Sequence, residues 1–322
     1  MKLACSIFAT FLISTSPSFC QVINLKGSWK FHVGDNNSWS SAQYEDSKWE
    51  SIYAPSAWED EGFNNYDGFA WYRKKFDGRK LNNETNYYLN LGYIDDCDEV
   101  YLNGILIAVS GMMPPKFKTA YNSERKYPIP PDILKYGGDN TLAIRVYDVV
   151  GGGGIVDGSI GIYRMEKFSG LLINLSGLWQ FATSFDEHPI KDESSWKKIM
   201  VPFPWERQGY PKYDGFAWYR KTFTVPSGFS NEPLVLLLGR IDDFDKVYLN
   251  GQLIGTTNDH RDYGNSNSYT VDRIYDIPAK LLKRTGPNVI EVLVEDMGNW
   301  GGIYEGYVGI ALKEHYRRRW ND

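Results

Sequence analysis

Along much of this chain, apolar residues recur at every second position. Leu142, Ile144 and Val146 alternate with Ala143, Arg145 and Tyr147, and Ile290, Val292 and Val294 alternate with Glu291, Leu293 and Glu295. A period of two predicts strands with one packed face and one partly wet face. FAWYRKKF from Phe69 and FAWYRKTF from Phe216 set aromatic and charged residues at alternate places, as half-buried strands do. NYYLNLG from Asn86 and LVLLLG from Leu234 are more uniformly apolar and predict interior strands. VYLNGILIA and VYLNGQLIG predict hairpins, because Asn-Gly tolerates the positive φ angles of a tight two-residue turn. Helix signals are sparse: PPDILKYG and PAKLLKRTG, each led by proline and closed by glycine, predict one or two turns. Many short strands with Gly and Asn turns predict an all-β sandwich or jelly roll.

The pattern is written twice. YDGFAWYRK at Tyr66–Lys74 returns letter for letter at Tyr213–Lys221. Upstream, Pro55, Trp58, Glu59 and Gly62 meet Pro202, Trp205, Glu206 and Gly209 at the same spacing; downstream, IDDCDEVYLNG from Ile94 meets IDDFDKVYLNG from Ile241. The copies open at NLKGSWKF (Asn24) and NLSGLWQF (Asn174) and close at GGIVDGSIGI (Gly153) and GGIYEGYVGI (Gly301). Each runs to about 145 residues, too long for a solenoid unit of roughly 20–50, so the reading is a duplicated domain. The expected boundaries are 21–168 and 169–322.

Residues 1–20 read as a signal peptide: Lys2, the apolar run LACSIFATFLIS, then Ser18-Phe19-Cys20 as a small-x-small cleavage site. The expected location is therefore exported, periplasmic or extracellular. No segment is apolar enough to predict a membrane span. Removing the leader takes Cys5 and Cys20 and leaves Cys97 alone, so no internal disulfide is expected and stability must come from core burial. Against 35 basic residues stand 40 acidic ones, a formal charge of −5, which implies no broad basic face and excludes nucleic acid as the natural partner.

Together the motifs G-x-W-x-F, P-x-x-W-E, YDGFAWYRK-x-F, IDD-x-D-x-VYLNG and the closing GGI segment resemble the sugar-binding domain of family 2 glycoside hydrolases. In that family the domain precedes the catalytic barrel of β-galactosidases, β-mannosidases and β-glucuronidases. The resemblance covers essentially the whole chain after the leader. It implies two tandem galactose-binding-like β-sandwich (jelly-roll) domains. The catalytic glutamates of those enzymes stand on a (β/α)₈ barrel of about 250 residues. No βα alternation here could host one, so no catalytic residue is carried over.

Several recurring carboxylates are candidates for chemistry: Glu59 with Glu206, Asp67 with Asp214, Asp95-Asp96 with Asp242-Asp243, and Asp148 with Asp296. Since each recurs inside a recurring motif, a structural role explains it as well as a catalytic one. Asp95, Asp96 and Asp98 offer hard oxygen donors, and related jelly rolls often hold a structural calcium, yet their spacing is not that of a calcium loop. No other cofactor is expected; the four histidines are scattered and zinc is not implied.

Between Gly151–Gly154 of the first copy and Gly298–Gly302 of the second, an indole, Trp300, stands where the first copy has Gly152. Sugars present C–H faces to aromatic rings while carboxylates bind their hydroxyls. Trp300, Tyr304, Glu305, Asp296 and Tyr210 form the expected ligand-binding cluster, joined by Trp205 and Asp214 and, in the first copy, by Asp148, Trp58 and Asp67. The alternative for Trp300 is a plug between the two domains. Trp29, Trp71, Trp179 and Trp218 are expected in the core. Lys116, Lys118, Arg125 and Lys126 would suit an anionic polysaccharide.

The expected function is a secreted carbohydrate-binding accessory protein in polysaccharide degradation, with a polysaccharide or oligosaccharide as partner. Two alternatives stay open: a glycoside hydrolase of the β-galactosidase or β-glucuronidase type, or a structural partner of a hydrolase. A buried acidic pair facing a cleft shared by the two halves would favour the enzymatic one.

Overall fold

The computed structural model describes residues 21–83, 85–164, 171–229, 231–258 and 267–317. The leader at 1–20 and most of the junction near 165–170 lie outside these. The described residues are all-β, with all strand pairs antiparallel, short 3-10 turns such as Asn37–Ser40 and Trp205–Gln208, and one five-residue α-helical turn, Lys313–Arg317. None of their helices is long and apolar enough to cross a membrane.

Each half builds one six-stranded and one four-stranded sheet. In the first half the larger sheet runs in spatial order Glu50–Ala54, Gly27–Val33, Gly68–Asp77, Asp139–Asp148, Cys97–Leu102 and Ile105–Ser110. Gln21–Asn24, Ile155–Arg164, Tyr87–Ile94 and Glu124–Ile129 form the smaller one. The second half repeats both orders, with Gly215–Thr224, Pro287–Asp296 and Phe244–Leu249 in the larger sheet and Leu234–Asp242 inside the smaller. Asn103 (φ 54°) and Gly104 (φ 87°) turn the first expected hairpin, and Asn250 and Gly251 turn the second.

Both sheets of a half contribute to one core. In the first, Phe31, Ile144 and Tyr72 of the larger sheet meet Leu89, Leu91 and Ile162 of the smaller. Trp29, Trp71, Trp179 and Trp218 are all buried, as expected. The strand Gly68–Asp77 is buried on both faces, not one. Its outer face is covered by a separate aromatic cluster in which Trp71 packs with Trp39, Trp49 and Tyr101. Among the described residues of the second half, Trp218 meets Tyr248 in the same way, with no counterpart of Trp39 in contact with it.

PPDILKYG and PAKLLKRTG form turns only, not the expected helical turns. The physical reason is local competition for the backbone. Asn140 accepts from the Lys135 amide and donates to the Lys135 carbonyl (both 2.9 Å), and Asn288 clasps Lys283 in the same way. A side chain that satisfies both groups of one residue removes the incentive to wind a helix.

The halves also touch. Met200 and Phe203 of the second half are buried in the first half's core, and Asp132 accepts from the Leu178 amide and from Lys221 Nζ (both 3.1 Å).

Candidate functional site

The conserved spacing of the repeat resolves into one structural device, present in each half. The Trp58 and Trp205 indoles are 0% exposed and donate to the carbonyls of Tyr66 and Tyr213 (both 3.0 Å). Glu59 accepts from the Gly153 amide (3.1 Å) and Glu206 from the Gly301 amide (2.9 Å). Thus the tryptophan of P-x-x-W-E lies beneath the Gly-Gly of the closing segment while the glutamate holds that segment's backbone. Trp58 and Trp205 are therefore core residues and correct the expectation that they face a ligand. The sequence placed both between a proline and a carboxylate, a setting that resembles a surface loop; the Gly-Gly that covers them is about 95 residues away in the chain.

The remaining expected site residues scatter. Asp67 and Asp214 are exposed, each directly before the strand that opens at Gly68 or Gly215, and Tyr210 packs edge-on against Phe181 (4.8 Å) at the margin of the second core. Three of them do converge. Trp300, Tyr304 and Glu305 line a cleft of about 1310 Å³ whose other wall comes from the first half, between Ile107 and Pro130. Trp300 is 37% exposed and carries the Arg207 guanidinium 5.0 Å from its ring centroid. It lines the cleft and is not sealed between the halves. The Tyr304 hydroxyl donates to the Tyr269 carbonyl (2.6 Å), and Glu305 pairs with Arg240 (3.1 Å).

Sequence reasoning missed Arg207. Burial of its guanidinium draws its pKa down from the ordinary value. A signal existed: Trp58-Glu59-Asp60 becomes Trp205-Glu206-Arg207, a charge reversal inside an otherwise repeated motif. The expected cationic group is also corrected. Lys118 and Lys126 line the cleft, but Arg125 is fully buried, donating to Asp98 at 2.7 Å and to the carbonyls of Ile94 and Asp96. Asp98 likewise leaves the expected calcium set, since its second oxygen accepts from Tyr127 (2.8 Å).

Asp296 is 2% exposed and lies behind the cleft wall, gathered with Asp242 and Asp243. Asp242 and Asp243 line the cleft itself. Burial, followed by repulsion from neighbouring carboxylates, pushes Asp242 up to about 8 and helps push Asp296 up to about 7. In the first half Asp148, fully buried, gathers with Asp95 and Asp96 and is pushed up to about 7 for the same reasons.

With this geometry in hand, comparison with known proteins gives the family. A sequence profile described as "Beta-galactosidase second all-beta domain" matches residues 34–149 and 187–300. These stretches cover more than half of the chain, which therefore belongs to that family. A curated relative, "Putative beta-glucuronidase" of Formosa agariphila, is 29% identical over 137 residues, 38% of this chain and 12% of the relative. Among solved structures, a Bacteroides uniformis β-glucuronidase superposes with a TM-score of 0.39 at 17% identity, over 90% of this chain and 28% of its own. A family 2 glycosyl hydrolase of Bacteroides cellulosilyticus gives 0.38 at 16% identity, over 84% and 31%. The chain thus spans a small part of the length of these relatives.

Proposed function

We propose that this chain is an exported carbohydrate-binding protein whose two sheet pairs are galactose-binding-like jelly rolls, acting as an accessory to polysaccharide degradation. The observation that carries this reading is the half-exposed Trp300 ring in a cleft that also presents Arg207, Tyr304 and carboxylates. An aromatic platform with a few convergent polar groups is the usual form of a sugar site. Family membership supports a carbohydrate-related role.

The test is affinity electrophoresis and calorimetry against a panel of neutral and anionic polysaccharides. Trp300→Ala is expected to weaken binding of the retained glycan about tenfold, or ~1.4 kcal/mol, while shifting stability by less than about 0.5 kcal/mol because the ring is exposed. Absence of retention on every glycan overturns the reading. Equal retention by wild type and Trp300→Ala overturns the site.

A glycosidase reading is favoured by one observation, the acidic Asp242–Asp243 pair at the wall of a cleft shared by the halves. Raised carboxyl groups near neutrality are what a general acid needs. Against it, the first half repeats the arrangement as Asp95–Asp96, and neither residue lines the cleft. If the pair is catalytic, release of aryl aglycone from a panel of aryl glycosides should fall by a factor of 100 or more in Asp242→Asn. No release by the wild-type protein overturns this reading.

A further inference from the structure

Each half gathers a trio of carboxylates, two of the three buried, and among the described residues none of the six forms an ion pair. Asp95, Asp96 and Asp148 each offer one oxygen, and these oxygens lie within 4.8 Å of one another; Asp242, Asp243 and Asp296 do the same. The second and stronger observation is that the last member of each trio, Asp148 or Asp296, is not closed by hydrogen bonds. Asp148 is 0% exposed, yet neither oxygen has a hydrogen bond of good geometry; the Val150 amide acts on it only weakly. Asp296 accepts from the Gly298 amide through Oδ1 (3.0 Å), but its buried Oδ2 has no partner. A buried carboxylate oxygen without a donor is costly, and native structures rarely leave one so.

The residues around the trios deepen the problem. The charges acting on Asp148 are those of Asp95, Asp96 and Asp67, and those acting on Asp296 are Glu206, Asp214 and Asp243. Arg125 reaches only the rim of the first trio, at Asp95, and is already committed to Asp98. The trios are held in place by equivalent bonds. Asp96 Oδ2 accepts from Val149 N and Asp243 Oδ2 from Met297 N, both at 2.9 Å, which fixes one oxygen of each; Asp242 and Asp243 also hydrogen-bond to each other, a contact that needs a shared proton and that a bound cation would replace.

We propose that each trio binds one calcium ion, through Asp95, Asp96 and Asp148 in the first half and Asp242, Asp243 and Asp296 in the second. Calcium takes oxygen ligands at about 2.3–2.6 Å, so two oxygens on one ion stand up to about 5 Å apart, a limit that the 4.8 Å clustering meets. An all-oxygen, all-carboxylate donor set selects a hard cation over zinc or copper. The donors come from two separated chain segments and leave room for water or loop carbonyls, which suits the irregular shell of calcium better than the strict octahedron of magnesium. Asp95 and Asp242, the partly exposed members, give the ion a way in. This set differs from the sequence expectation by exchanging Asp98, which Arg125 occupies, for Asp148, which lies 50 residues away. The proposal does not depend on carbohydrate binding. It also explains why the acidic pair recurs in the half where it does not line the cleft.

The test uses the full chain treated with chelator, then titrated with CaCl₂ by calorimetry and examined by native mass spectrometry. Two ions per chain are expected. Asp148→Asn and Asp296→Asn should each leave one, and the double variant none. Chelator should lower the wild-type melting temperature by about 5 °C or more, with no such effect on the double variant. Should either variant fail to fold, Asp95→Asn and Asp242→Asn, at the partly exposed positions, take their place. The proposal is overturned if the folded, metal-free protein takes up no calcium, or if the two ions persist in the double variant. Saturation by MgCl₂ alone overturns the assignment to calcium, and a stoichiometry of one overturns the pair.

Discussion

Asp245→Ala is expected to destabilise the protein by about 3–5 kcal/mol, because it leaves the Arg273 guanidinium buried without its counterion. Asp245 and Arg273 are both almost fully buried, and Arg273 Nε donates to Asp245 Oδ1 at 2.6 Å. Tyr275 donates to the second carboxylate oxygen, and Arg273 spends its other donors on the carbonyls of Ser268, Val271, Ile241 and Asp243. The guanidinium thus ties together the segments that flank Asp242 and Asp243. Burial raises the Asp245 pKa despite this partner, so desolvation outweighs the attraction and the pair is not a strong net stabiliser. The large cost therefore comes from orphaning one partner, not from losing a favourable bond. Arg273→Met should accordingly cost as much as Asp245→Ala or more, since it also strips four carbonyls of their donor. Asp98→Ala, which orphans Arg125, should show the same loss in the first half. Urea denaturation of the three variants checks this. A loss under about 1 kcal/mol for both aspartate variants would show that the guanidinium finds water instead.

Much of the fold was readable from the sequence. The period-two runs, the Asn-Gly turns and the copied motifs gave the strand content, the hairpins and the duplication, since each is encoded within ten or so residues. What was unreadable depends on partners far along the chain. Nothing near Trp58 announces that Gly153 will cover it, and nothing near Asp95 announces Asp148. The helical reading of PAKLLKRTG failed for a related reason, because the residue that clasps Lys283 is Asn288, just outside the segment. Trp300 was found because the copies differ there, and a difference on a repeated scaffold marks a place where the scaffold does not dictate the residue; Tyr304 and Glu305 followed as its aromatic and acidic neighbours in the chain. Arg207 carried the same kind of mark. Its partner, the Trp300 ring, lies far along the chain, so nothing next to Arg207 announces the contact.

The Gly-Gly of the closing segment can be tested as a packing constraint distinct from its backbone freedom. A Cβ at Gly301 would stand 2.1 Å from the Trp205 ring, and one at Gly153 would stand 2.2 Å from the Trp58 ring. Neither glycine has a positive φ, so alanine meets no backbone penalty there and any loss comes from the clash. Gly301→Ala is expected to cost about 1–3 kcal/mol, the usual range for overpacking. Trp205→Ala removes a buried indole that also donates to Tyr213, and should cost about 3–5 kcal/mol. The two changes act on one contact, so they should not add: in the Trp205→Ala background, Gly301→Ala should cost almost nothing, because the added methyl then enters the space the indole vacated. Gly298→Ala supplies the contrast. Nothing lies within 4 Å of a Cβ there, but φ is 141°, so its cost should be the same with or without Trp205. If Gly301→Ala is equally damaging in both backgrounds, the glycine serves the chain's path and not the tryptophan beneath it.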